Sequence, residues 1–242
     1  MPRTVGNPFS TRHTRPGCLQ PLDAVGKPLD IASLLVRAQA TRGAAIVGCH
    51  GSGKSNLLHH LADAAAAAGE RVERVRLASR RDALRAWAAI RAARQGGTVC
   101  VDSWERAGPV AGLVLVVLAR LVGCRLWVTA HRPATWLRTL VRCETTPQLL
   151  AALVAQLVDP SRWGAATVGA ADVEAAFAMH SGDVREALYE LYDRFEMRWR
   201  AAVSPPSKDG GDGHDDGGDG RPQIYESAAG FSYAGAPERN LG

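Results

Sequence analysis

Eight consecutive residues, Gly48-Cys49-His50-Gly51-Ser52-Gly53-Lys54-Ser55, have the types and spacing needed to hold a polyphosphate. Glycines let the backbone curl so that several N–H groups converge on phosphate oxygens. The lysine then reaches the outer phosphates, and the serine hydroxyl ligates a divalent cation. Gly48, His50, Gly51, Ser52, Gly53, Lys54, Ser55 and Asn56 are the expected nucleotide contacts. Such chemistry also needs a carboxylate at the end of a buried strand, facing the metal. Thr98-Val99-Cys100-Val101-Asp102 supplies one. Ser55 and Asp102 are therefore the expected Mg2+ residues, with a plain turn or cap role as the alternative for Asp102.

Hydrolysis further needs a base. Hydrolases of this kind usually carry Glu directly after the Asp, but here Ser103 takes that place and Glu105 lies three residues beyond Asp102. Glu105 either polarises the attacking water or is a solvated loop residue. Leu126-Trp127-Val128-Thr129-Ala130-His131 closes another apolar run, and strand ends of a parallel sheet line its ligand crevice. Thr129 reads as a polar sensor of the γ-phosphate, against the alternative of an ordinary β-branched strand residue. His131 is a second candidate there, or an exposed loop residue. Asp183 and Glu186 match a capping box at a helix start. Arg185 then sits in the first turn, where a cation opposes the helix dipole. That position makes sense beside a bound anion, and otherwise implies a salt bridge or a solvated side chain. Glu105, Thr129 and Arg185 are the catalytic candidates.

The elements that must position these groups follow from periodicity. Short apolar runs at Ala44–Val47, Val72–Leu77, Thr98–Val101, Arg125–Thr129 and Leu137–Cys143 read as strands. Helical patterns at Lys54–Ala68, Arg81–Arg94 and Val110–Leu121 separate the first four, each ended by glycine. Asp30 caps a further short helix over Ile31–Ala40. This alternation predicts a three-layer αβα core around a parallel sheet, over residues 30–146. Thr146-Pro147 opens a run of helices, with breaks at 159–169 and Gly182, so residues 147–203 form a small helical unit. Residues 1–29 show no period and read as an extended arm. Residues 204–242 are Pro, Gly, Asp and Ser and read as a disordered acidic tail. Within the tail Gly210–Asp215 partly matches a calcium β-roll repeat, but such units hold ions only when stacked, and a solvated tail is the plainer reading.

Charge is unevenly shared. The chain carries +5, while the segment from Ser204 to Gly242 has three basic and seven acidic residues, leaving +9 on the rest. No Lys/Arg cluster interleaved with aromatics stands out, so nucleic acid is a weakly supported partner. The five cysteines are an odd number, are widely spaced and include no C-x-x-C. A zinc site or disulfide framework is not expected, and a reducing cytoplasm is. The longest apolar run, Val110–Val122, is interrupted by Arg120 and falls short of the ~20 residues that span a bilayer, so membrane insertion is not expected. No apolar stretch opens the chain, so a signal peptide is not expected either.

Ser181-Gly182-Asp183-Val184-Arg185-Glu186-Ala187-Leu188 resembles the second sensor motif of AAA+ ATPases, especially origin-recognition and clamp-loader proteins. With the phosphate loop, Asp102 and the polar strand-four end, the resemblance spans about 44–195. The chain is also similar to a group of bacterial P-loop ATPases that share an N-P-F-x-T-R start (Asn7 to Arg12), a G-x-H-G-S-G-K-S loop and an S-G-x-x-R-E-x-L-x-E-L-Y-D ending. The resemblance implies an ATP-hydrolysing enzyme with an αβα core and a helical lid, and a second-sensor role for Arg185. It also implies that the amino-terminal arm, through Phe9, lines the adenine pocket. An unidentified protein client and assembly into a homo-oligomer are implied as well, with Arg132, Arg138 and Arg142 as arginine-finger candidates by position. The departure at Ser103 keeps a second class in view, a nucleotide-gated switch or scaffold with little turnover. A transporter-type cassette lacks its L-S-G-G-Q signature here, and a small-molecule kinase lacks acceptor-binding residues.

Overall fold

The computed structural model describes residues 7–93, 96–158 and 168–203. The readings of 159–167 as a loop and of 204–242 as a disordered tail lie outside the described residues, as does the partial calcium repeat. A five-stranded, wholly parallel sheet is formed by β1 (Gly43–Gly48), β2 (Val72–Arg76), β3 (Thr98–Asp102), β4 (Arg125–Ala130) and β5 (Arg138–Cys143), in the order β2-β3-β4-β1-β5. Alternate side chains take opposite faces, as the period of two requires. Ala44, Ile46, Cys100 and Trp127 pack with Leu57, Leu58 and Leu61 on one side. Ala45, Val47, Val99, Val101, Leu126 and Val128 pack with Ala86, Ile90, Leu115 and Val116 on the other. Each Val, Leu or Ile among them, buried from water, contributes roughly 1.5–3 kcal/mol. The predicted αβα core with a parallel sheet is the observed architecture.

One face carries α2 (Ile31–Gln39) and α3 (Lys54–Ala67); the other carries α4 (Ala83–Ala93) and α5 (Pro109–Val122). Asp30 caps α2 by accepting the Ser33 N–H at 3.0 Å, as its position predicts. Two short 3-10 turns, Arg80–Asp82 and Trp104–Ala107, were not foreseen and precede α4 and α5. The β1–β5 pairing skips Leu140, whose carbonyl accepts the Arg37 guanidinium at 2.9 Å. That bulge brings Cys143 opposite Gly48, the last residue of β1. No described helix is long and apolar enough to cross a membrane.

The C-terminal helices are α6 (Pro147–Leu157), α7 (Ala170–Met179) and α8 (Val184–Val203). Thr146 caps α6 through its hydroxyl, which accepts the Leu149 N–H at 3.0 Å, and Pro147 occupies the first turn. Leu149, Leu150, Val154, Val173, Ala176, Leu188 and Leu191 form a separate core. Asp172 joins α7 to α8 by accepting Arg198 Nη1 and Nη2 at 2.7 and 2.8 Å.

The amino-terminal segment differs from the expected extended arm. It contains a one-turn helix, α1 (Thr11–Thr14), and a bridge between Leu22 and Pro28. Phe9 does not line a pocket: it is 1% exposed inside the helical core, edge-on to Phe195 at 6.1 Å between ring centroids. Asn7 donates to the Tyr192 carbonyl at 3.0 Å and to Glu196 at 3.1 Å, both on α8. Farther on, Gly17 N–H donates to Asn56 Oδ1 at 2.7 Å, and Leu19 O accepts Asn56 Nδ2 at 2.8 Å. Gln20 N–H reaches Gln156 on α6 at 3.0 Å. The segment lacks a period because its Pro and Gly residues break one. It is held instead by isolated apolar anchors and by side chains that satisfy its backbone.

Candidate nucleotide site

The phosphate loop runs from the end of β1 to the start of α3, so the positive end of a 14-residue helix faces it. Gly51 and Gly53 have φ of 68° and 79°, in the left-handed region that favours glycine. Gly48 is required for another reason. A Cβ there would stand 2.4 Å from the Cys143 carbonyl oxygen and 2.6 Å from Ser52 Oγ. Ser52 Oγ donates to the Cys49 carbonyl at 2.9 Å, which closes the curl.

Lys54 is buried, at 8% exposure, and its ammonium donates to the Cys49 carbonyl. Burial holds its pKa below the ordinary lysine value, partly offset by Cys143, Cys49, Glu105 and Asp102. Burial also pushes the Cys143 thiol up to about 11 and the Cys100 thiol, deep under the sheet, up to about 12. Both are inert small apolar groups in this setting.

β4 lies between β1 and β3 in the sheet, so its end falls between the loop and Asp102. Three of the expected residues meet there. Ser55 Oγ donates to Asp102 Oδ1 at 2.8 Å, and Thr129 Oγ1 donates to the same oxygen at 2.6 Å. Thr129 Oγ1 also accepts the Ser103 N–H at 2.9 Å. Ser103 has φ 64° and ψ 49°, a left-handed turn that costs a non-glycine residue roughly 1–2 kcal/mol. Thr129 therefore pins the sharp turn after β3, and both functions of its buried hydroxyl are engaged.

The Ser55–Asp102 pair can be tested against Mg2+. Neighbouring ligands of an octahedral ion at 2.0–2.1 Å lie about 2.9 Å apart. The 2.8 Å separation of the two oxygens fits such a pair. Among the described residues no cluster of three or more His, Cys, Asp or Glu could hold a metal. The remaining positions around an ion here would fall to phosphate and water oxygens, as is usual for Mg2+.

Glu105 lies on the 3-10 turn after Ser103, and its Oε1 is 3.6 Å from His131 Nε2. His131 meets His50 of the phosphate loop edge to face, at 5.9 Å between centroids. Glu105 is thus joined to the loop through two imidazoles. Sequence reasoning named all three residues and could not see the contact, because they lie on three different connections. Arg76, which was not singled out, approaches Asp102 Oδ2 at 3.9 Å, since the two pair in register on β2 and β3.

Asn56 is turned to the arm rather than the loop: its side-chain amide holds Gly17 and Leu19. The start of α8 reaches the loop. A Cβ on Gly51 would stand 1.9 Å from Asp183 Oδ1, so the carboxylate rests directly on the glycine. Asp183 Oδ1 also accepts the N–H of Arg185 at 2.9 Å and of Glu186 at 3.3 Å, as an N-cap does. The Asp183 N–H donates to the His180 carbonyl at 3.0 Å, in place of the reciprocal bond to Glu186 that a capping box would have. Arg185 is exposed, with no side-chain ion pair among the described residues, two positions from the Asp183–Gly51 contact.

No protein-family model matches the sequence, and no curated protein is similar to it. Among solved structures the chain is similar to a DNA replication initiation factor, at 10% identity and a TM-score of 0.48 over 70% of this chain and 62% of that one. It is similar to a point mutant of RuvB from Thermotoga maritima, at 14% identity and a TM-score of 0.49 over 72% and 61%. It is similar also to AMPPCP-bound DnaA from Aquifex aeolicus, at 13% identity and a TM-score of 0.48 over 72% and 62%. The match takes in about three fifths of the length of each of these chains. These identities and scores carry no inference about activity.

Proposed function

We propose that this chain is a Mg2+-dependent ATP-binding protein of the AAA+ type, an ATPase whose C-terminal helices act as a lid on the nucleotide. The observation that carries the reading is the meeting of Ser55 and Thr129 on one oxygen of Asp102, beside a strand–loop–helix whose lysine is buried at its base. The contact of Asp183 with Gly51 supports the lid, because the helical unit already adjoins the loop. Bound Mg2+ would neutralise phosphate charge and so favour attack on the outer phosphorus. Loop N–H groups and Lys54 hold the phosphates, Ser55 and Asp102 hold the metal, and Thr129 keeps Asp102 in place. With serine at position 103, the proton of the attacking water passes to the Glu105–His131 pair, Glu105 orienting the imidazole. Arg185 closes on the phosphates from α8, and the lid movement acts on a protein client within a homo-oligomer.

A second reading is a nucleotide-gated switch that turns over little, favoured by Ser103 in the place where such hydrolases carry Glu. ATP affinity and phosphate release, measured together, separate the two. Lys54→Ala is expected to weaken ATP binding at least about 100-fold, whereas Glu105→Gln and His131→Gln keep binding and slow release by about 100-fold or more. Unchanged affinity in Lys54→Ala defeats the nucleotide site itself. Tight binding with no release by the parent protein leaves the switch. Light scattering with and without ATP and Mg2+ reads the assembly.

A further inference from the structure

Six exposed arginines, five of them between positions 76 and 91, gather at one edge of the sheet, Arg76 on the α3 side and the others around the β2–α4 connection and α4. Arg76 ends β2, the edge strand; Arg80 and Arg81 lie on the 3-10 turn that follows; Arg85 and Arg91 lie on α4; Arg106 lies on the turn after β3. Arg106 Nη1 donates to the Ala78 carbonyl at 2.8 Å, which folds it over the β2–α4 connection. Arg80 Nε stands 3.9 Å from where a Cβ on Gly108 would be, so the two turns are in contact. Arg85 follows Arg81 by one helical turn.

The acids near this edge are already engaged. Glu73 on β2 lies 3.4 Å from Arg71. Asp82 accepts the N–H groups of Ala78 and Ser79 at 2.9 and 2.8 Å and lies 3.7 Å from Arg85. Asp102 holds Ser55 and Thr129, and Glu105 faces His131. A positive excess remains on the surface. All six cations are arginine, whose planar fork matches phosphate oxygens in pairs. An acidic peptide would satisfy the charge alone. What favours a nucleic acid is Trp87, 40% exposed on the same helix with the Arg91 guanidinium 4.8 Å from its ring centroid, and Leu84 one turn before it, 74% exposed. An exposed indole with a guanidinium beside it is a platform for an unpaired base.

We propose that this edge, from the end of β2 across the Arg80–Asp82 turn to the outer face of α4, binds the sugar-phosphate backbone of single-stranded nucleic acid, with Trp87 stacking on a base. Arg76 borders Asp102, so the strand runs beside the nucleotide site without entering it.

The test uses the full chain without nucleotide, so failure of the ATPase reading does not affect it. Anisotropy of a fluorescein-labelled thymidine 20-mer is followed across a salt series. The triple variant R80A/R81A/R85A is expected to bind at least about tenfold more weakly, and the slope of log affinity against log salt to flatten by about 2, for three phosphate contacts. Trp87→Ala is expected to weaken binding about fivefold or more with the slope unchanged. Lys27→Ala, in the amino-terminal segment beside α6, is expected to bind as the parent does. Circular dichroism confirms that these surface variants fold. The proposal is overturned if the triple variant binds like the parent, if an oligoglutamate peptide binds in preference to the oligonucleotide, or if duplex DNA competes as well as the single strand.

Discussion

The buried ammonium of Lys54 works against the empty fold. It is buried beside Cys49, Cys143, Glu105 and Asp102, and burial lowers its pKa. A lysine with a lowered folded-state pKa opposes folding while charged, and the penalty lifts as pH rises through that lowered value toward the ordinary one. Lys54→Met is therefore expected to raise the melting temperature of the nucleotide-free protein at neutral pH, by roughly 2–4 °C per kcal/mol relieved. The gap from the parent narrows as pH climbs into the alkaline range. Calorimetry across pH checks both, and a melting temperature lowered at every pH would contradict the account. The strand–glycine turn–helix at the loop and the placing of Asp102 at a strand end were readable in advance, because each is contiguous in sequence. The contact of Glu105 with His131 was not, since no periodicity says which way two loop side chains turn.

At the scale of elements, the strands and core helices followed from their hydrophobic period, and their ends shifted by one or two residues. The 3-10 turns were missed because each is a single turn, too short for a pattern to repeat. Phe9 was misread for a physical reason: an aromatic in a Pro- and Gly-rich segment carries no period to reveal which core it enters. Phe9→Ala is expected to cost about 3–5 kcal/mol by emptying the centre of the helical core, read by denaturant unfolding. Asp172 stabilises the same core. The Arg198 guanidinium, with burial opposing and Arg194 adding, holds its carboxyl below the usual range. A depressed carboxylate contributes stability that is present above the ordinary carboxylate pKa and is lost as pH falls through the lowered one. Asp172→Asn is expected to cost about 1–2 kcal/mol at neutral pH and progressively less in acid. A cost that persists in acid would point to packing instead of charge.

For the molecule as a whole, the amino-terminal segment ties the helical unit to the sheet, through Asn7 and Phe9 at one end and Asn56 at the other. Asn56→Ala removes two hydrogen bonds to that segment, and trypsin is expected to cut after Arg12 about tenfold faster, with unfolding elsewhere unchanged. An unaltered cutting rate would show that the grip lies elsewhere. Such ties were illegible in sequence, where their members stand far apart; the six arginines come from four elements and include the adjacent pair Arg80 and Arg81, but no spacing says that they share an edge. The Asp183–Gly51 contact belongs with them, and it has a mechanical result. Helix α8 has 20 residues, so it is a rod about 30 Å long. One tip leans on the phosphate cradle, while Asn7 and Phe9 clasp it near Tyr192 and Phe195, close to its midpoint. If Arg185 draws the first tip toward an anion in the cradle, a rigid rod held at its middle answers by swinging its other end the opposite way, like a seesaw.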